Sequence, residues 1–128
     1  MVPVAPGELR DSDRHEIDKA IRTAEQASRF EFSVFVGRAE GTPRGFAERL
    51  HGASVAPDRS VLVMVDPRAR VIEVVTGSQV RRALDDQAVE LAVLQMRSEF
   101  AEGDLVGGLI RGIAQLADHA RQPQTRHV

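Results

Sequence analysis

The chain has 128 residues, of which 42% are apolar and 28% are charged, and its formal net charge is −2. This length and composition are typical of one globular domain, which excludes a disordered or collagen-like chain. The chain contains no cysteine, so disulfides, thiol nucleophiles and zinc–thiolate sites are excluded, and no basic excess favours nucleic acid as a partner.

The sequence does not predict insertion into a membrane. The longest apolar run, residues 61–65, is far too short to cross a bilayer. Residues 1–11 lack both a basic start and an apolar run of signal-peptide length, so we predict a cytoplasmic location. We also expect residues 1–11 to be a flexible lead-in and residues 120–128 a flexible tail on a single domain of residues 12–119.

The first half of the domain is predicted to contain two helices with a strand between them. Residues 12–28 have apolar residues at helical spacing on one face, with Asp13 as the expected N-cap. Residues 30–37 first alternate between apolar and polar positions and then become fully apolar, which indicates a strand. A Thr–Pro pair that begins at Thr42 is a good helix start, and the second helix should end near Gly52.

A hairpin follows in the middle of the chain. Residues 60–65 are almost entirely apolar, which favours a central strand that is covered on both faces. Residues 66–70 have the Asp–Pro start of a turn, and residues 71–76 form the next strand. Residues 78–84 are predicted to be a short helix or turn.

Two helices complete the domain. Asp85 or Asp86 should cap a helix that runs to about residue 100. The apolar stripe of this helix is formed by Val89, Val93, Met96 and Phe100, widened by Leu91 and Leu94. A last helix covers residues 105–119, and its glycines Gly108 and Gly112 predict a close approach to a neighbouring backbone.

The element order is therefore α-β-α-β-β-α-α. A strand–helix–strand unit followed by a hairpin predicts a mixed sheet, with the first two strands parallel and the third antiparallel. Helices on both faces would explain the apolar central strand. The fold class is thus predicted to be α/β, a three-layer α/β/α sandwich with a small mixed sheet.

Acidic residues are the main candidates for a functional site. The topology places Asp66 at one edge of the sheet, and Glu31, Asp85 and Asp86 at the other. Carboxylate oxygens suit Ca²⁺ or Mg²⁺. The candidate metal ligands are Glu31, Glu73, Asp86 and Asp104. The alternative is that the aspartates only cap helices and shape turns, as Asp104 would at the last helix.

A second candidate site is an anion site at the end of the third strand. The backbone N–H groups around Gly77 could meet an anion there, with Arg81 and Arg82 close by in sequence. The alternative is a surface pair of arginines that is balanced by Asp85 and Asp86.

Four stretches in the same order resemble the TPM domain, a family that includes a thylakoid-lumen phosphatase linked to photosystem repair. They are ASRFEFSVF (27–35), SVLVMVDPRARVIEVV (60–75), GSQVRRALDD (77–86) and MRSEFAEGDLVGGLIRG (96–112). The resemblance implies an α/β/α sandwich, and it implies acid phosphatase activity or Ca²⁺ binding in some members. Where the family often has a second aspartate at the hairpin, this chain has Pro67.

Two functional hypotheses follow. The first is a non-catalytic binding or regulatory module with a protein partner, since no nucleophile constellation is present and Pro67 removes an oxygen ligand. The second is a phosphatase dependent on Ca²⁺ or Mg²⁺, in which a metal-bound water attacks a phosphomonoester. Its catalytic residues would be Asp86, Arg81 and Arg82, with the arginines holding the phosphate.

Overall fold

The computed structural model describes residues 9–121, which form four helices and three strands. The helices are α1 (Asp11–Ser28), α2 (Pro43–Gly52), α3 (Asp86–Ala101) and α4 (Leu105–Ala120); the strands are β1 (Glu31–Val36), β2 (Ser60–Asp66) and β3 (Val71–Thr76). Short 3₁₀ turns occur at Pro57–Arg59 and Val80–Arg82. The predicted element order is confirmed, apart from the first of these turns, which was not predicted.

The three strands form one mixed sheet in the order β1-β2-β3. β1 runs parallel to β2, with Glu31 opposite Ser60, and β3 runs antiparallel to β2, with Thr76 opposite Val61. Every residue of β2 is buried, because the strand is flanked on both sides and covered on both faces. Its apolar run predicted this position.

The helices cover the sheet unequally and complete the predicted three-layer α/β/α sandwich. The larger core lies on the face of α1, α3 and α4, where apolar residues of β2 and β3 meet side chains such as Leu109 and Ile113. The smaller core lies under α2, where Ala47 packs near Leu62 and Met64. The larger layer therefore contributes most of the apolar burial that stabilises the domain.

Three of the predicted helix starts are confirmed by their capping hydrogen bonds. The side chains of Thr42, Asp85 and Asp104 each accept a backbone N–H three residues further along the chain. The predicted cap of α1 is wrong. Arg10 is the N-cap, and the carboxylate of Asp13, three residues inside, accepts the Arg10 backbone N–H at 3.2 Å. The acid therefore accepts a main-chain donor at the start of the helix, but from inside the first turn and not from the N-cap position.

The two glycines of α4 allow close packing against α3, as predicted. A Cβ on Gly108 would lie 2.7 Å from the ring of Phe100, and one on Gly112 would lie 2.4 Å from Sδ of Met96. Both distances are too short for a real side chain. The glycines therefore let α3 and α4 approach closely enough to bury Met96 completely.

Charged side chains bind main-chain groups of both edge strands. The backbone N–H of Phe32 on β1 donates to the Glu25 carboxylate of α1 at 3.1 Å. On the other edge, the Arg44 guanidinium of α2 donates to the carbonyl of Val74 on β3 at 2.9 Å. A hydrogen bond thus links β1 to α1 on the face of the larger core, and another links β3 to α2 on the face of the smaller core.

Most of the predicted lead-in and tail, residues 1–11 and 120–128, lies outside the described residues. Within the described part, Asp11 and Ala120 are helical, and the division into lead-in, domain and tail stays a prediction. No helix among residues 9–121 is long and apolar enough to span a membrane.

A substitution at Gly77 tests how tightly the end of β3 is packed. A Cβ at this position would lie 2.0 Å from the backbone oxygen of Pro57, which cannot move without shifting the main chain. We expect Gly77→Ala to lower the free energy of unfolding by about 1–3 kcal/mol. Gly52→Ala is the matched control, because nothing lies within 4 Å of its Cβ. Chemical denaturation of both variants measures the difference, and equal stabilities would contradict the packing described.

Candidate functional site

The structure separates the four predicted metal ligands. Glu73 lies on the α2 face of the sheet, where its carboxylate is 3.2 Å from the Arg44 guanidinium. Asp86 begins α3, which packs on the opposite face. The sheet therefore stands between these two carboxylates. The two-residue period of a strand explains the placement, since Glu73 alternates with the buried residues Ile72 and Val74.

Among the residues that the structure describes, the remaining candidates do not form a metal-binding group either. Asp86 and Asp104 lie at opposite ends of the 16-residue helix α3, which is about 24 Å long at the usual rise. Glu31 is exposed at the start of β1. Among residues 9–121 no group of three or more acidic or histidine side chains is arranged to hold a metal ion. Binding of Ca²⁺ or Mg²⁺ thus stays a prediction for which the described residues offer no convergent ligands.

Asp104 belongs instead to an ionic network that joins α3 to α4. The Arg111 guanidinium lies 2.5 Å from the Glu99 carboxylate and 2.7 Å from that of Asp104. Gln95 donates a further hydrogen bond to Glu99 at 2.5 Å. The hydrogen bonds from Arg111 hold the pKa of both carboxyls below their ordinary values and raise the pKa of Arg111. The sequence analysis did not find this network, since its central pair, Glu99 and Arg111, is separated by 12 residues.

The predicted anion site is largely occupied by internal hydrogen bonds. The backbone N–H of Gly77 donates to the Ser60 carbonyl at 3.0 Å, and the Arg81 guanidinium donates to the Thr76 carbonyl. Arg82 is exposed. Within the described residues, neither arginine forms an ion pair with Asp85 or Asp86, and the charge balance between these residues stays a prediction.

Asp66 is the last residue of β2 and lies at the end of the sheet opposite Gly77. Its side chain is buried and accepts the backbone N–H of Ala39 at 3.0 Å and that of Ala69 at 3.2 Å. The bond from Ala39 is the main reason why the pKa of this carboxyl lies below its ordinary value. Asp66 is therefore more than the turn residue that the sequence suggested, because it also ties the segment after β1 to the hairpin.

A groove of about 440 Å³ runs between α1 and α4. Small side chains line most of its floor, among them Ala20, Ala24 and Ala117. At its rim, Arg121 lies 3.5 Å from Asp118. The groove is therefore lined mainly by small apolar side chains and has a charged rim.

The outer face of α3 is unusual for a solvent-facing surface. Leu91 and Leu94, predicted to widen the inner stripe, are instead 49% and 53% exposed. That part of the prediction is wrong, because the two leucines lie about half a turn from the buried residues Ala92 and Met96. They belong to a line of exposed, uncharged side chains that we call the α3 stripe: Gln87, Leu91, Leu94, Ser98 and Ala101.

Together these features define a small three-layer α/β/α domain with two half-exposed leucines on the outer face of α3. A family model described as a domain of unknown function, DUF5130, matches residues 5–117, and the chain belongs to this family. The uncharacterised proteins Rv2468c and MT2543, from two strains of Mycobacterium tuberculosis, are each 34% identical over 118 residues. Each match covers 88% of this chain and 71% of the relative.

Several solved structures share the fold at low sequence identity. The BA42 protein from the psychrophilic bacterium Bizionia argentinensis has a TM-score of 0.74 at 17% identity, covering 88% of this chain and 81% of that one. The N-terminal domain of a P. gingivalis protein has a TM-score of 0.73 at 16% identity, covering 87% and 75%. The N-terminal domain of cg2496 from Corynebacterium glutamicum has a TM-score of 0.72 at 15% identity, covering 95% and 86%. At these identities the likeness concerns the fold alone.

The family expected from the sequence is corrected by these comparisons. Membership of the TPM domain family is wrong, because the matching family model is DUF5130 and the curated relatives are uncharacterised proteins. The phosphatase activity and Ca²⁺ binding that the resemblance implied lose that support. They now rest only on the acidic residues, which the structure disperses.

The Arg111 network predicts how stability depends on pH. Carboxyls whose pKa is lowered in the folded state stabilise it above their ordinary pKa, and this contribution is lost as the pH falls through the folded value. Arg111→Gln removes the cause of the lowering. We therefore expect the variant to be less stable than the parent at pH 7. The difference in the free energy of unfolding should narrow between about pH 5 and pH 3.

Urea denaturation at a series of pH values measures this difference in the free energy of unfolding. Arg22→Gln is the control, because Arg22 is exposed on α1 and forms no ion pair among residues 9–121. If this difference in free energy stays constant with pH, the pKa values of Glu99 and Asp104 do not depend on Arg111.

Proposed function

We propose that this domain is a non-catalytic binding module that takes a protein partner on the α3 stripe. The observation that carries the proposal is the half exposure of Leu91 and Leu94 on the outer face of a regular helix. Both leucines are half exposed, whereas the apolar residues packed against the larger core are buried or partly buried. When a partner covers an apolar side chain on such a face and removes it from water, the free energy of the system falls.

The rest of the helix strengthens this proposal. The inner face of α3 is already apolar, with Ala92 and Met96 fully buried, so α3 carries apolar residues on two opposite sides. A helix that is apolar on both sides is typical of one that is covered on both sides. The second cover would come from outside the chain.

The charge distribution also favours a protein surface as the partner. The α3 stripe is uncharged over its five positions, in a chain of which 28% is charged. Depletion of charge at the centre of a patch, with charged residues at its rim, is typical of protein–protein interfaces. Glu90 and Arg97 are exposed beside the stripe and form such a rim.

Site-specific crosslinking in the native cell, and in the purified protein at near-millimolar concentration, tests the proposal. A photoreactive phenylalanine analogue at position 91 should form a discrete adduct with a protein, because Leu91 lies in the centre of the stripe. The same analogue at Arg22, which is exposed on α1, is the matched control. The yield of the adduct should fall when Leu94→Gln is added, since this change removes the neighbouring apolar contact. No adduct, or equal adducts at both positions, would contradict the proposal.

A metal titration tests the competing phosphatase hypothesis. If the domain is a non-catalytic module, Ca²⁺ and then Mg²⁺ at millimolar concentration should cause no localised NMR shifts near Glu31, Gly77, Asp86 or Asp104. Hydrolysis of a generic phosphomonoester should also be absent with either ion at acid and neutral pH. Localised shifts, together with hydrolysis that Asp86→Ala abolishes, would overturn the non-catalytic proposal and support the phosphatase.

A further inference from the structure

We infer that the partner of the α3 stripe is a second copy of this chain, with the two α3 helices packed antiparallel about a two-fold axis. This inference rests on the proposed function and names its occupant. Two features of α3 carry it: the spacing of the stripe and the placement of the two charges beside it.

The spacing of the stripe matches the seam of two paired helices. Its five members, at positions 87, 91, 94, 98 and 101, are separated alternately by four and three residues. This alternation keeps a line of side chains facing one neighbouring helix. The leucines occupy the centre of the line, and its ends are polar or small. A partner helix with the same pattern would set leucine against leucine at the centre.

The two flanking charges have no partner at helical spacing. Glu90 and Arg97 lie on the same side of the stripe, seven residues or about 10 Å apart along the axis. Residues pair along a helix surface at spacings of three or four, so these two are too far apart to form such a pair. Neither residue forms an ion pair with any other residue among 9–121.

A two-fold axis perpendicular to both helices brings these charges together. Such an axis reverses the helix direction and keeps each flank on its own side of the seam. With Leu91 opposite the partner's Leu94, Glu90 lies about 3 Å along the axis from the partner's Arg97, within reach of two long side chains. Symmetry repeats the contact, so one dimer contains two such pairs. In a parallel arrangement the flanks face opposite sides and these charges do not meet.

The seam is short, so the dimer should be weak. Each copy contributes only two leucines, and interfaces of small area are typical of transient association. The two charge pairs then matter mainly for direction and register, because exposed ion pairs add little free energy and select among arrangements. Dimerisation should therefore be visible only at high protein concentration.

Charge reversal tests the arrangement at near-millimolar protein by sedimentation equilibrium and NMR diffusion. The parent chain should show a concentration-dependent dimer, and Leu91→Gln/Leu94→Gln should abolish it. Glu90→Arg or Arg97→Glu alone should raise the dissociation constant about tenfold at low salt, because each creates two like-charge contacts. The double variant should return to within about threefold of the parent, and both effects should shrink in 0.5 M salt.

The controls separate this inference from non-specific effects. Asp18→Arg and Arg22→Glu make similar charge changes on exposed positions of α1 and should leave the dimer unchanged. All substituted residues are exposed, so thermal unfolding should confirm that every variant is folded. A parent chain that stays monomeric, or a double variant that does not recover, would overturn the inference.

The crosslinking experiment distinguishes failure of the inference from failure of the proposed function. An adduct at position 91 with twice the mass of the chain supports both. An adduct with a different protein, together with a monomeric chain, overturns the second copy as the occupant and leaves the binding surface supported.

Discussion

The complete burial of β2 is the constraint on which the rest of the structure depends. A strand whose side chains are apolar in both directions must be covered on both faces and flanked on both edges. The chain meets this requirement with β1 and β3 at the sides, α2 on one face and the other three helices on the opposite face. The helix α2 covers its face alone, whereas α4 lies between α1 and α3 on the other face.

The position of α3 follows from that layer. α3 packs mainly against α4, through glycines that bring the helices close and through the Arg111 network at their connection. It lies at the margin of the layer, and its main contact with the sheet is β3. A helix in this position has one face held firmly by its neighbour and one face turned outward. The outward leucines are therefore displayed on a rigid support, which lowers the entropy cost of binding them.

Much of this architecture was predictable from local patterns in the sequence. The apolar run of β2, the hairpin turn and the caps at Thr42 and Asp104 depend on neighbouring residues, and such signals can be read along the chain. The candidate site was less predictable, because it depends on which face each side chain takes. Strand-end positions predicted that the acids lie together, but the strand period sets Glu73 on the α2 face, opposite α3. The helical period likewise turns Leu91 away from the core.

The ties at both edges of the sheet have a consequence for how copies of this chain can assemble. An unprotected edge strand offers a row of main-chain donors and acceptors on which another strand can grow into a fibril. Here a carboxylate from α1 occupies a donor of β1, and a guanidinium from α2 occupies an acceptor of β3. An incoming strand would have to displace a charged group at either edge. Growth of the sheet by intermolecular strand addition is thus discouraged, and reversible contact between helix surfaces is left as the easier route to assembly.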